Sequence, residues 1–259
     1  MDNYRFRLLG EFQCFDDEGQ TVEIALAKQV ALIALLALGG NRCRSREKII
    51  DLLWSDRCSD QGRSSLRQAL WSLKKKLNRG PRQPLQVDRR RVGLDPALCS
   101  VDAVDFAALA LSQQQGDMEH AVTIYRGELL ENLVVNDREW EAWLEQHRNR
   151  LQMIYRECLY RLSRRYRAAL DTSSLMATGL RLIEHDPLGE EGHRALMEAY
   201  ALTQRRSQAL KQYERYRELI RRELGSRPEP SIRRRYEQLR GAPAAGGDPG
   251  FVSNRFPRA

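Results

Sequence analysis

The chain has 259 residues, 42% apolar and 30% charged, with a formal net charge of +8. This length favours two domains, each large enough to bury a core without disulfides or metals. No apolar run reaches the ~18 residues needed to cross a bilayer, and the N-terminus lacks the basic and apolar regions of a signal peptide, so a cytoplasmic globular protein without a membrane partner is expected.

The first segment alternates, with Tyr4, Phe6 and Leu8 on one side and Arg5 and Arg7 on the other. Val22, Ile24 and Leu26 repeat the pattern after a polar turn at Asp16 to Gly19, which predicts two short antiparallel strands. Lys28 to Leu38 is apolar all round and predicts a buried helix, stopped by Gly39 and Gly40. Ser45 offers an N-cap to a second helix ending near Trp54, with Glu47 in its first turn and Ile49, Ile50, Leu52 and Leu53 on its apolar face.

A third helix is predicted over about Arg63 to Leu77. At 100° per residue Leu66, Ala69, Leu70, Leu73 and Leu77 form its buried stripe. Ser64, Arg67, Gln68, Trp71, Ser72 and Lys75 point away, with Arg63 at the start. Leu85 with Val87, and Val92 with Leu94, then flank Asp88-Arg89-Arg90-Arg91, which reads as a hairpin with a basic tip. Strands, three helices and a hairpin make a winged helix-turn-helix.

Charge marks the same segment. Between Gln61 and Asp95 stand ten Lys or Arg residues against Asp88 and Asp95 alone, while the remaining 224 residues hold 33 basic and 33 acidic groups. Such segregation is the electrostatic footprint of a nucleic-acid contact surface.

From Val104 onward only helices are expected, near 104–115, 118–126, 138–170, 173–185, 188–203, 206–224 and 231–239. A weak repeat places Ala177 and Ala209 32 residues apart, near the tetratricopeptide period of about 34, and small alanines there would let paired helices approach closely. Asp186-Pro187 reads as an N-cap followed by proline at the first helical position. The Gly- and Pro-rich stretch from Gly241 to Gly250 reads as a disordered tail or a linker toward a further domain. The fold class expected is mainly α. An N-terminal winged helix-turn-helix over 1–97 precedes an all-α TPR-like repeat domain over 98–240 and a tail over 241–259.

The five cysteines are scattered without a Cys-x-x-Cys pair and read as reduced packing residues. His120, His147, His185 and His193 form no metal or nucleophile motif, and no glycine-rich phosphate loop occurs. No enzyme activity, cofactor or metal is therefore expected.

The stretches Arg46-Glu-Lys-Ile-Ile-Asp-Leu-Leu-Trp54 and Ser65-Leu-Arg-Gln-Ala-Leu-Trp-Ser-Leu-Lys-Lys-Lys-Leu77 resemble the winged-helix domain of the SARP family of bacterial transcriptional activators. Tyr125-Arg-Gly-Glu-Leu-Leu130, Asp186-Pro-Leu-Gly-Glu190, Ala209-Leu-Lys-Gln-Tyr213 and Glu223-Leu-Gly225 with Pro228-Glu-Pro-Ser231 resemble that family's bacterial transcriptional activator domain. The resemblance covers about residues 4 to 240. It implies sequence-specific binding of double-stranded promoter DNA, commonly as a dimer on direct repeats, with recruitment of RNA polymerase. It also makes Arg63 to Leu77 the recognition helix and Leu85 to Leu94 the wing. Wider OmpR-type winged helices place Gly-Tyr before the last wing strand; here Arg91-Val-Gly-Leu94 takes that place, so no aromatic wing contact carries over.

Arg67 is the leading residue for base readout, since an arginine near the start of a groove-inserted helix can bond guanine O6 and N7 together. Gln68 could read adenine in the same way. Lys74, Lys75, Lys76 and Arg79 are placed on phosphates, and Arg89, Arg90 and Arg91 on the adjacent backbone or minor groove. For all of these, the competing reading is a solvated charged face. Trp71 either packs on a neighbouring element, the preferred reading, or stacks on thymine methyls and sugars. Trp54, Trp140 and Trp143 read as core, and the Arg221-Arg222 and Arg233-Arg234-Arg235 runs as solvated helix faces beside Glu218, Glu223, Glu229 and Glu237. The competing function is a protein-interaction module that uses the winged helix as a docking platform, or the regulatory front part of a longer protein.

Overall fold

The computed structural model describes residues 4–39, 42–78 and 83–241. By contacts the chain divides into two compact units, Met1–Cys158 and Leu159–Ala259.

The first unit opens with β1 (Tyr4–Arg7) and β2 (Gln13–Phe15), antiparallel with Phe6 opposite Cys14. The strand expected over Val22 to Leu26 is corrected here. Gly10 (φ +85°) reverses the chain early enough for Gln13–Phe15 to pair with β1, and Asp16 Oδ1 accepts from the Glu18 and Gln20 N–H groups to fold the next turn. Val22 and Ile24 still enter the core, as loop residues.

The apolar helix α1 (Ala27–Ala37) is buried from Gln29 through Ala37. β3 (Cys43–Ser45) leads into α2 (Arg46–Leu53), whose N-cap Ser45 accepts from Lys48 N at 3.3 Å. α3 runs from Ser59 to Leu77, four residues earlier than the apolar pattern indicated, and buries the expected stripe of Leu66, Ala69, Leu70, Leu73 and Leu77. Its early start includes Gly62, where a Cβ would meet Ile50 Cγ2 at 2.6 Å, so the glycine lets α2 and α3 cross closely.

The hairpin β4 (Leu85–Val87) and β5 (Arg91–Leu94) forms as expected, and β3 adds to β5 to give the order β3-β5-β4. Gly93 stands opposite Cys43, and a Cβ there would meet Arg42 O at 3.0 Å. β6 (Cys99–Val101) lies parallel beside β1 and completes the order β2-β1-β6. Cys14 and Cys99 are buried beside β1 as free thiols, each pushed up to about 12 by burial.

α4 (Asp102–Ala110) and α5 (Gln115–Ile124) pack on this unit, and the 31-residue α6 (Arg138–Ala168) begins in it. The Asp102 carboxylate accepts from Leu8 N at 2.7 Å and Leu9 N at 3.2 Å and pairs with Arg126 at 2.7 Å. Trp54, Trp140 and Trp143 are buried, as the sequence indicated.

The second unit stacks α7 (Thr172–His185), α8 (Glu190–Leu202), α9 (Arg206–Leu224) and α10 (Pro230–Gly241). Two local readings are corrected. Asp186 is the C-cap of α7, and α8 begins at Glu190 after N-cap Gly189, because the chain makes a turn through Pro187 and Leu188 before the helix starts. Ala177 is exposed; the close approach of α7 and α8 instead uses Gly179 and Gly192, where a Cβ on Gly179 would stand 3.1 Å from Gly192 O. Gly225, at φ +62°, closes α9 in the left-handed conformation that glycine adopts without strain. From residue 242 the Gly- and Pro-rich segment lies outside the described residues, as do Gly40 and Arg79.

Candidate nucleic-acid interface

Burial of the leucine stripe fixes the rotation of α3 and leaves its polar face outward. Arg63, Arg67, Trp71 and Lys75 follow at i, i+4 spacing along that face and are all exposed, with Ser64 and Gln68 beside them. Trp71 is 68% exposed, so the packing preferred from the sequence is overturned. Its contact is the Lys75 ammonium, 5.7 Å from the ring centroid, a cation–π pair on the same face.

Local bonds prepare this surface. Asp137 accepts from Ser55 N at 3.0 Å and Ser55 Oγ at 2.9 Å, fixing the turn between α2 and α3. Arg57 Nη1 donates to Ser65 Oγ at 2.7 Å, and Arg63 pairs with Asp60 at 3.4 Å, an exposed ion pair.

At the hairpin tip, Asp88 Oδ1 accepts from Arg91 N at 2.6 Å and Arg90 N at 2.7 Å. The Arg91 and Arg90 N–H groups hold the Asp88 carboxyl below the usual carboxylate range. Arg46 N donates to Arg90 O at 2.9 Å, and Arg46 Nε to Asp88 O at 3.1 Å, tying the tip to the start of α2.

A groove of about 380 Å³ brings these elements together: Arg46 from α2, Asp60, Arg63 and Arg67 from α3, and Arg89 from the tip share its walls. The arginine triplet divides. Arg89 faces this groove, whereas Arg91 lines a separate hollow with Arg42, Gln86 and Gly93.

The four lysine and arginine positions placed on phosphates also divide. Lys74 and Lys75 are exposed. Lys76 is half-buried, and its Nζ donates to Glu23 O at 2.7 Å, so it braces the loop before α1. Arg79 lies outside the described residues. Arg46 was missed by the sequence reading because it precedes the charged segment and sits behind the Ser45 cap; the arginine adjoining the cap was its only signal. Along α9, Arg221 and Arg222 pair with Glu218 and Glu223 on an exposed face.

Residues 102–240 match the family described as Bacterial transcriptional activator domain. That match covers more than half of the chain. The chain belongs to this family of SARP-type bacterial transcriptional activators. No curated protein sequence matches it. Among solved structures, Mycobacterium tuberculosis EmbR in complex with a low-affinity phosphopeptide has a similar fold, with a TM-score of 0.68 over 92% of this chain at 24% identity. The chain spans 65% of that protein's length. A winged helix followed by a helical activator domain is the shared architecture. Among the described residues, no helix is long and apolar enough to cross a membrane, and no group of three or more His, Cys, Asp or Glu residues could hold a metal. Family membership places the protein with transcriptional regulators.

Proposed function

We propose that this activator binds double-stranded promoter DNA through α3 and the β4–β5 wing, in the cytoplasm, as a dimer on directly repeated sites from which it recruits RNA polymerase. The observation that carries the DNA contact is the groove shared by Arg63 and Arg67 of α3 and Arg89 of the wing, beneath an outward face that ends in Lys74 and Lys75.

In this reading α3 lies in the major groove. Arg67 reads a guanine edge and Gln68 an adenine edge, while Arg63 and Ser64, one turn in from the start of α3, contact the backbone. Lys74 and Lys75 neutralise phosphates further along, and Arg89, Arg90 and Arg91 grip the flanking strand. Trp71, exposed among cations, offers its ring to thymine methyls and sugars. Residues 1–97 supply the DNA contacts and 98–240 the partner contacts. The double substitution Arg67→Glu and Lys75→Glu tests the surface. Loss of specific promoter binding with an unchanged circular dichroism spectrum is expected, and undiminished affinity would rule the surface out.

A further inference from the structure

We propose that the hollow between the end of α1, the first turns of α4 and the middle of α6 binds a small amphipathic anion, an apolar body carrying one carboxylate. The hollow measures about 380 Å³, within the size range of small-molecule sites. Its walls are Ala37 and Leu38 from α1, Ala103, Val104 and Ala107 from α4, and Leu151 and Ile154 from α6. All these lining residues belong to the first unit. The space exists because three facing positions are alanines, which leaves an apolar volume that larger side chains would have filled.

Arg42 and Arg150 bring positive charge to the lining beside His147, and no acidic side chain belongs to it. Arg42 Nη1 donates to Cys99 O at 2.7 Å, which holds the guanidinium in place and leaves its remaining N–H groups available. Asp105, also on α4, is the carboxyl that feels Arg42, and burial raises its pKa. Arg150 is exposed, and among the described residues no carboxylate pairs with it.

His147 stacks on Trp143 with centroids 3.9 Å apart and donates from Nδ1 to Trp143 O at 2.8 Å, leaving Nε2 for another partner. Burial foremost, with the Arg44 and Arg150 charges adding to it, lowers its pKa. Apolar walls that also carry Arg42, His147 and the unpaired Arg150 match an acyl chain with an anionic head. The occupant would touch α1 of the winged helix and both α4 and α6 of the activator domain, whether or not the DNA reading holds.

Calorimetry on the full chain with decanoate below its micelle concentration tests the site, with decylamine as the same chain of opposite charge. Saturable 1:1 binding of decanoate is expected. Arg150→Glu, at an exposed position, should weaken it at least tenfold, Ala107→Phe should abolish it by filling the hollow, and decylamine should not bind. Absence of decanoate binding to the unsubstituted chain, equal binding of decylamine, or undiminished affinity in Arg150→Glu would overturn the proposal.

Discussion

The Asp137 carboxylate accepts two hydrogen bonds from Ser55, one from the backbone N–H at 3.0 Å and one from the hydroxyl at 2.9 Å. Asp137 is 6% exposed, and it also receives Glu139 N at the start of α6. One carboxylate therefore joins the turn that aims α3 to the first helix turn of α6. Removing it takes the shared acceptor from the part-buried Ser55 and Glu139 N–H groups and from the Ser55 hydroxyl. Asp137→Ala should cost about 1–3 kcal/mol, read from chemical denaturation. Asp137→Asn, which keeps an acceptor, should recover part of that loss.

Lysines 74, 75 and 76 are contiguous, yet the structure gives Lys76 a different task. Lys74→Ala and Lys75→Ala should each lower the slope of log affinity against log salt by about 0.9, as loss of one phosphate contact does. Lys76→Ala should leave the slope nearly unchanged and instead lower stability by about 1 kcal/mol, through loss of its bond to Glu23 O. Salt-titrated binding and thermal melts on the three variants separate these outcomes.

Gly62 stands where a Cβ would meet Ile50 Cγ2 at 2.6 Å. Overpacking of that kind costs about 1–3 kcal/mol, more than the ~0.5–1 kcal/mol that alanine gains over glycine inside a helix. Gly62→Ala should therefore destabilise the protein. Placed on an Ile50→Ala background, the same substitution should stabilise, and a double-mutant cycle measured by denaturation checks the change of sign.

His193 is 4% exposed, donates from Nε2 to Pro187 O at 2.9 Å and accepts at Nδ1 from Gln212 Nε2 at 2.8 Å. Burial lowers its pKa from 6.5, against the opposing pull of the Pro187 carbonyl and Asp186. The unfolded chain thus takes up this proton first. The contribution to stability is complete above the unfolded value and is lost as pH falls through the lower folded value. Unfolding free energy should decline on acidification from pH 7, and His193→Gln should flatten that part of the profile.

Elements with long periodic faces were legible in the sequence. The leucine stripe of α3 and the all-round apolar α1 needed only the helical period, and the hairpin only two alternations around a basic turn. Strands β3 and β6 were not legible, because three residues carry no alternation and each exists by pairing with a partner far along the chain. The start of α3 was hidden by Gly62, whose low helix propensity is overridden by the close crossing with Ile50. Within the candidate site, outward residues such as Arg67 and Gln68 could be placed by angle. The exposure of Trp71, the bond from Lys76 to Glu23 O and the part of Arg46 in the groove depend on neighbours that no local pattern encodes.

The central claim is that α3 and the wing read DNA. Its most direct test is sequencing of genomic fragments recovered by the purified protein at near-physiological salt, beside the Arg67→Glu, Lys75→Glu variant. Enrichment of paired direct repeats in promoters by the unsubstituted protein, lost in the variant, is predicted. Flat recovery that disappears as salt is raised, the same for both proteins, would contradict the account and leave only nonspecific electrostatics.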